Sequence, residues 1–225
     1  MAADCKVKIK EIFTSVQGEG PYVGYKQLFI RFCNCNLKCN YCDTDFEDWA
    51  DFEEYDIKGL LEKISEYKNY HSVSLTGGEP LLSTDFLKYF LPQTGKKIYL
   101  ETNATLADKL LEVKPFIDII SADIKLESSS GMKDSFKFHE QFFANCSGIE
   151  TFAKIIFNSE ITTPEIEKCT EIAKRYNIEL ILQPQMKDDK MSVKSDFAAQ
   201  ILDRFLEKYD KVRLIPQIHK FIDVR

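Results

Sequence analysis

Four of the seven cysteines in this 225-residue chain fall in one short run, at Cys33, Cys35, Cys39 and Cys42. Three of them, Cys35, Cys39 and Cys42, have the spacing C-x3-C-x2-C, which lets a compact loop turn three thiolates toward one centre. Thiolates hold iron–sulfur clusters, and three ligands around a four-iron cluster leave one iron open to another molecule. A structural zinc takes four protein ligands. Cys33, His71 or His139 would have to supply the fourth, and neither histidine has zinc-finger spacing. A redox dithiol would use Cys39 and Cys42 alone and leave Cys35 without a purpose. The iron–sulfur reading is therefore preferred, with zinc and the dithiol as alternatives. Cys33 is read as a strand-end packing residue, and Cys5, Cys146 and Cys169 as small hydrophobes. Around the cysteines, Arg31 is suited to a bidentate grip on a carboxylate. Gln17, Glu19 and the backbone of Val16 and Gly18 offer donors and acceptors for a ring edge.

Those residues need a scaffold. Apolar runs of strand length recur at about 6–13, Gln27–Phe32, Ser72–Thr76, Lys97–Glu101, Ile117–Ala122, Thr151–Phe157, Ile178–Gln183 and Val212–Gln217. Their lack of strict alternation suits strands covered on both faces. Amphipathic stretches lie between them. Ile57, Leu60, Leu61 and Ile64 follow helical spacing behind Asp56 as N-cap, Thr163-Pro164 opens a second helix, and Ser195 is placed to cap a third. The βαβα alternation predicts an α/β fold with a mostly parallel sheet. At 225 residues it is short for a closed eight-fold barrel of about 250, so a partial TIM-like barrel in a single domain, 1–225, is expected. Leu126–Lys133 and Met186–Lys194 read as long polar loops, either solvated surface or edges closing over a site.

Thirty Lys and Arg against 36 Asp and Glu give a net charge of -6, which excludes a broad nucleic-acid surface. The N-terminus lacks a secretory pattern and no window approaches the ~20 apolar residues of a membrane span. A cytoplasmic protein with reduced thiols is expected, without membrane or nucleic-acid partners.

The cysteine spacing, combined with Thr76-Gly77-Gly78-Glu79-Pro80 after the next strand, resembles the radical S-adenosylmethionine (SAM) superfamily. That resemblance implies one 4Fe-4S cluster on Cys35, Cys39 and Cys42, with SAM chelating the open iron and yielding a 5′-deoxyadenosyl radical. The paired glycines would let backbone approach the SAM ammonium. Phe13-Thr14-Ser15-Val16-Gln17-Gly18-Glu19-Gly20, Cys42-Asp43-Thr44, Glu101-Thr102-Asn103 and Gln217-Ile218-His219-Lys220 are similar to the 7-carboxy-7-deazaguanine synthase family. The similarity runs in order from about residue 8 to 222.

The family rearranges 6-carboxy-5,6,7,8-tetrahydropterin with loss of ammonia, on the route to queuosine and related 7-deazapurines. The resemblance implies substrate contacts from Val16, Gln17, Gly18, Glu19, Arg31, Thr76 and His219. It implies cofactor contacts from Tyr41, Cys42, Asp43, Gly78, Glu79, Glu101, Asp123, Lys125, Gln183 and Pro184, and Mg²⁺ at Thr44. A homodimer and a flavodoxin-type electron donor also follow from it. No general acid or base is assigned. The sequence departs from the family pattern at Ala104, where Gly is frequent, and at Asp123-Ile124-Lys125, where Ser-Pro-Lys is frequent. The alternatives are a glycyl-radical-enzyme activase, which shares the cysteines but lacks the Gln17–Gly20 segment, and a non-catalytic iron–sulfur or zinc protein.

Overall fold

The computed structural model describes residues 5–42, 52–187 and 189–224. Its strands are β1 Lys6–Val16, β2 Lys26–Phe32, β3 Glu53–Asp56, β4 Val73–Gly77, β5 Ile98–Thr102, β6 Ile119–Asp123, β7 Glu150–Phe157, β8 Glu179–Pro184, β9 Met186–Lys187, β10 Lys190–Met191 and β11 Val212–Leu214. Nine of them form one sheet in the order β11-β8-β7-β6-β5-β4-β2-β1-β3. From β2 to β11 the pairings are parallel; β1 pairs antiparallel with both β2 and β3. The expected partial barrel of mostly parallel strands is thus present, open between β11 and β3.

The helices are α1 Ile57–Ser65, α2 Thr84–Thr94, α3 Ala107–Val113, α4 Glu127–Ser130, α5 Phe136–Ala144, α6 Thr163–Tyr176, α7 Ser195–Leu206 and α8 Ile218–Phe221. Asp56 caps α1 as expected, its carboxylate accepting from Gly59 N at 2.6 Å. α6 carries a full capping box between Thr162 and Glu165. Ser195 is not a cap: it is the first residue of α7, behind Lys194, because the chain is already helical there. The two expected loops are also partly ordered elements, α4 within one and the β9–β10 hairpin within the other.

Period-two geometry divides each strand between two faces. Leu28, Ile30 and Phe32 on β2, Leu100 on β5, Ile120 and Ala122 on β6, and Leu180 and Leu182 on β8 join one large core shared with the helices. The opposite parity builds the barrel interior. Its floor is a small apolar group, Tyr99, Ile119, Phe152 and Ile181, packed with Tyr22 and Ile215. Above that floor the same parity places Thr76, Glu101, Asp123, Lys154 and Gln183. Apolar on one face and polar at one end of the other, the sheet leaves a polar mouth at its strand ends.

Candidate active site

A cavity of about 290 Å³ opens at that mouth. Val16, Gln17, Gly18, Glu19, Arg31, Cys35, Cys39, Tyr41, Cys42, Thr76, Gly78, Glu101, Asp123, Lys125, Gln183, Pro184 and His219 all line it. Asp43 and Thr44 lie outside the described residues. Glu79 is fully buried and does not line the cavity. Its carboxylate accepts from Asn103 N at 2.7 Å, Leu81 N at 3.1 Å and Thr102 Oγ1 at 2.9 Å. It ties the turn after β4 to the end of β5, so the expectation that it touches a cofactor is replaced by a scaffolding place. Burial outweighs these donors and pushes its carboxyl up to about 7.

The cysteine loop runs over the ends of β2 and β4. Gly78 N donates to Phe32 O at 3.0 Å and Glu79 N to Asn34 O at 2.8 Å. A Cβ on Gly78 would stand 2.5 Å from Asn34 C and 3.1 Å from Cys35 N, and closer still to Asn34 O. Gly78 thus lets the cysteine loop settle against the β4 turn, a reason the sequence did not reveal. The loop's other side rests on α4, with Asn40 N donating to Ser130 O at 3.0 Å.

Three thiols at one rim suit a cluster rather than a lone ion. Among the described residues, no group of three or more His, Cys, Asp or Glu is arranged to hold a metal ion. A multi-iron cluster spans its thiolates more widely than one ion does. Leu37 N approaches Cys35 Sγ at 3.4 Å and Asn103 Nδ2 at 3.8 Å, N–H groups of the kind that tune such sulfurs. The alternative zinc ligands are elsewhere. Cys33 is buried away from the cavity. His71 bonds Ser72 Oγ at 3.1 Å and lies beside Tyr25. His139 is completely satisfied, Nδ1 donating to Ala104 O at 3.1 Å and Nε2 accepting from Lys125 N at 3.0 Å. Burial drives its pKa down to about 4, so it stays neutral. Ala104 itself takes φ 54°, so the turn forms in the left-handed region even without the frequent glycine.

Opposite the cysteines, two carboxylates organise the cavity. Glu101 accepts from Thr76 Oγ1 at 2.7 Å, Gln17 Nε2 at 2.9 Å and Ser74 Oγ at 3.3 Å. Glu19 accepts from Lys154 Nζ, from Gln217 Nε2 at 2.6 Å and from Gln183 Nε2 at 3.3 Å. Burial alone would raise the Glu19 pKa, but the Lys154 cation, the Gln217 amide and nearby His219 hold it down at about 2. Lys154 also lies 3.4 Å from Asp123 Oδ1, while Lys125 bonds Asp123 Oδ2 at 2.7 Å. Arg31 is not free of the protein: its Nε donates to Glu11 Oε1 at 2.6 Å. Gln183 Oε1 is buried with no partner, on a side chain that lines the cavity, which is what a site for a ligand N–H requires.

Sequence reasoning missed Lys154, and it named Asn103 and Gln217 within matched segments without giving them a role. Lys154 had a visible signal, a lone cation in the otherwise apolar Phe152–Phe157 run at the parity of Phe152.

The Radical SAM superfamily model matches residues 29–183. The 7-carboxy-7-deazaguanine synthase of Geobacter sulfurreducens is 35% identical over 241 residues, covering 96% of each chain. The chain belongs to the 7-carboxy-7-deazaguanine synthase family. The Archaeoglobus fulgidus member of that family is 32% identical, over 98% of this chain and 100% of its own. In three dimensions, the crystal structure of QueE from Escherichia coli superposes with a TM-score of 0.65 over 96% of both chains at 20% identity, which speaks for the fold. As a radical SAM protein, a family member draws on a 4Fe-4S cluster and SAM, and the three thiols, Asp123, Lys125 and the Gln183 acceptor provide donors suited to them.

Proposed function

We propose that the chain converts 6-carboxy-5,6,7,8-tetrahydropterin into 7-carboxy-7-deazaguanine with loss of ammonia. The observation that carries this reading is the facing arrangement in one cavity of the three thiols and the Gln17, Glu19, Arg31, Thr76, Glu101 and His219 set, in a chain 35% identical to a named synthase along nearly its whole length. When bound, the cluster and SAM supply the radical chemistry that removes a hydrogen atom from the substrate. The protein's part is binding and orientation. Glu19, held ionised by Lys154, presents an acceptor to the N–H edge of the pterin, and Glu101 stands beside it with Gln17 between them. Gln17 is locked for the same edge, since its Oε1 accepts from Glu19 N at 3.0 Å and its Nε2 donates to Glu101 and Gln27. Arg31, oriented through Nε by Glu11, offers its terminal nitrogens to the substrate carboxylate. Tyr41, Lys125, Asp123, Gln183 and Pro184 form the SAM side. Lys125 Nζ stands 5.3 Å from the centroid of the Tyr41 ring, which covers it. The Phe13–Phe29 stack, with ring centroids 5.2 Å apart, lines the cavity and offers apolar surface to a ring face.

The same reading includes Mg²⁺ held by Thr44 with substrate and water, a homodimer, a flavodoxin-type reductant, a cytoplasmic location and a single domain over 1–225. Among the described residues no helix is long and apolar enough to cross a membrane. Incubating anaerobically reconstituted protein with SAM, reductant and carboxytetrahydropterin tests the central claim by mass and absorbance of a 7-deazapurine. Absence of that product from protein whose cluster responds to SAM would overturn it. An Mg²⁺ titration of EDTA-treated enzyme that leaves the rate unchanged would remove the metal.

A further inference from the structure

The geometry points to Lys154 as a positioning residue that holds Glu19 as a carboxylate acceptor toward the ligand's N–H edge, with Asp123 as its second counter-charge on the cofactor side. This inference rests on the proposed function. Lys154 is buried on β7, and its ammonium bonds Glu19 from the N-terminal loop while lying 3.4 Å from Asp123 Oδ1 on β6. It therefore joins the two halves of the cavity through one cation. A buried ammonium is retained only where carboxylates match it, and here both carboxylates line the cavity.

Three donors converge on Glu19, and only Lys154 is a fixed positive charge. Gln217 and Gln183 are neutral amides that fix direction without fixing charge. A carboxylate only accepts, so Gln183 must turn its NH₂ to Glu19 and its Oε1 away, where it is buried without a partner. The Lys154–Glu19 pair thereby sets the Gln183 amide as well, leaving Glu19 as an acceptor on the pterin side and Gln183 Oε1 as one on the SAM side. The titratable groups facing Glu19 and Lys154 are His219 from α8, Asp123 from β6, Glu101 from β5 and Tyr99 from the floor. Without Lys154, burial and Asp123 would together favour a protonated Glu19, which is a poorer acceptor.

The test is equilibrium binding of carboxytetrahydropterin to reconstituted enzyme with SAM and no reductant, from pH 5.5 to 8. Wild type and K154M are titrated in parallel, so any titration of the ligand is common to both. The expected wild-type Kd shows no limb from Glu19. K154M should add an acid limb that weakens binding by about tenfold per pH unit below the new pKa. K154R should restore the flat profile, and K154M/E19Q should lose the limb, assigning it to Glu19. Where K154M does not fold, K154Q keeps polar contact but no charge and should show the same limb. Parallel profiles for wild type and the uncharged variants would overturn the inference. Failure of wild type to bind the pterin would instead sink the proposed function.

Discussion

Gly78→Ala separates two reasons for a glycine in the turn after β4. A methyl group there would overlap Asn34 O and stand 2.5 Å from Asn34 C, and real Cβ atoms essentially never approach closer than 3.0 Å, so the Asn34 carbonyl must retreat by roughly an ångström or more. Its carbonyl cannot simply rotate, because it accepts from Glu79 N at 2.8 Å. Cys35 is the next residue and must move with it. Overpacking of this kind costs about 1–3 kcal/mol, which for a chain of this size lowers Tm by about 3–9 °C. Cluster loading should suffer more than folding, since ligand geometry tolerates little displacement; iron per chain should fall by about half or more against wild type reconstituted in parallel. Gly95→Ala is the control. Gly95 has φ 57° with nothing within 4 Å, so that variant pays only backbone strain of about 1–2 kcal/mol and should load iron normally. If Gly78→Ala retains full iron and its melting point but no longer responds to SAM, the glycine serves SAM approach alone and the packing argument is wrong.

Replacing Cys35, Cys39 or Cys42 by Ser should abolish the iron chromophore, whereas Cys33→Ala should retain it, as read by absorbance after reconstitution. His139→Gln should flatten part of the pH dependence of stability. The native pKa of His139, about 4, lies below its ordinary 6.5, so the unfolded chain takes up the proton first as pH falls. The associated stability is complete above 6.5 and declines toward pH 4 by up to about 3 kcal/mol, measurable by urea titration of both proteins. Thr162→Ala removes one arm of the capping box on α6 and should cost about 1 kcal/mol, or about 3 °C in Tm.

Much of this molecule is legible in the sequence because its strands are apolar runs punctuated by helix caps. Asp56 and Thr163-Pro164 announce helices by chemistry that acts within a few residues, and the Thr162–Glu165 box that caps the second lies directly at that start. The cysteine spacing is equally local. What the sequence hides is anything set by strand parity across the barrel. Lys154 reads as one cation in a hydrophobic run until β6 and β7 are paired, which places Asp123 opposite it. Glu79 reads as a ligand because it follows two glycines, yet its direction is decided by donors from β5, more than twenty residues away. Ser195 fails as a cap because propensity names a residue type, whereas the helix start depends on where the preceding backbone turns.

The contact between Glu19 and Gln217 spans 198 positions of the chain, and Ile218 N bonds Gly18 O at 2.8 Å beside it. His219 fills the space that a side chain on Gly18 would occupy. One side of the cavity is therefore closed where residues 17–19 and 217–219 meet. Closing so long a loop costs little more entropy than a loop half its length, yet it must come late. Substitutions that break the contacts between residues 17–19 and 217–219 should therefore disturb substrate binding before they disturb folding of the barrel core.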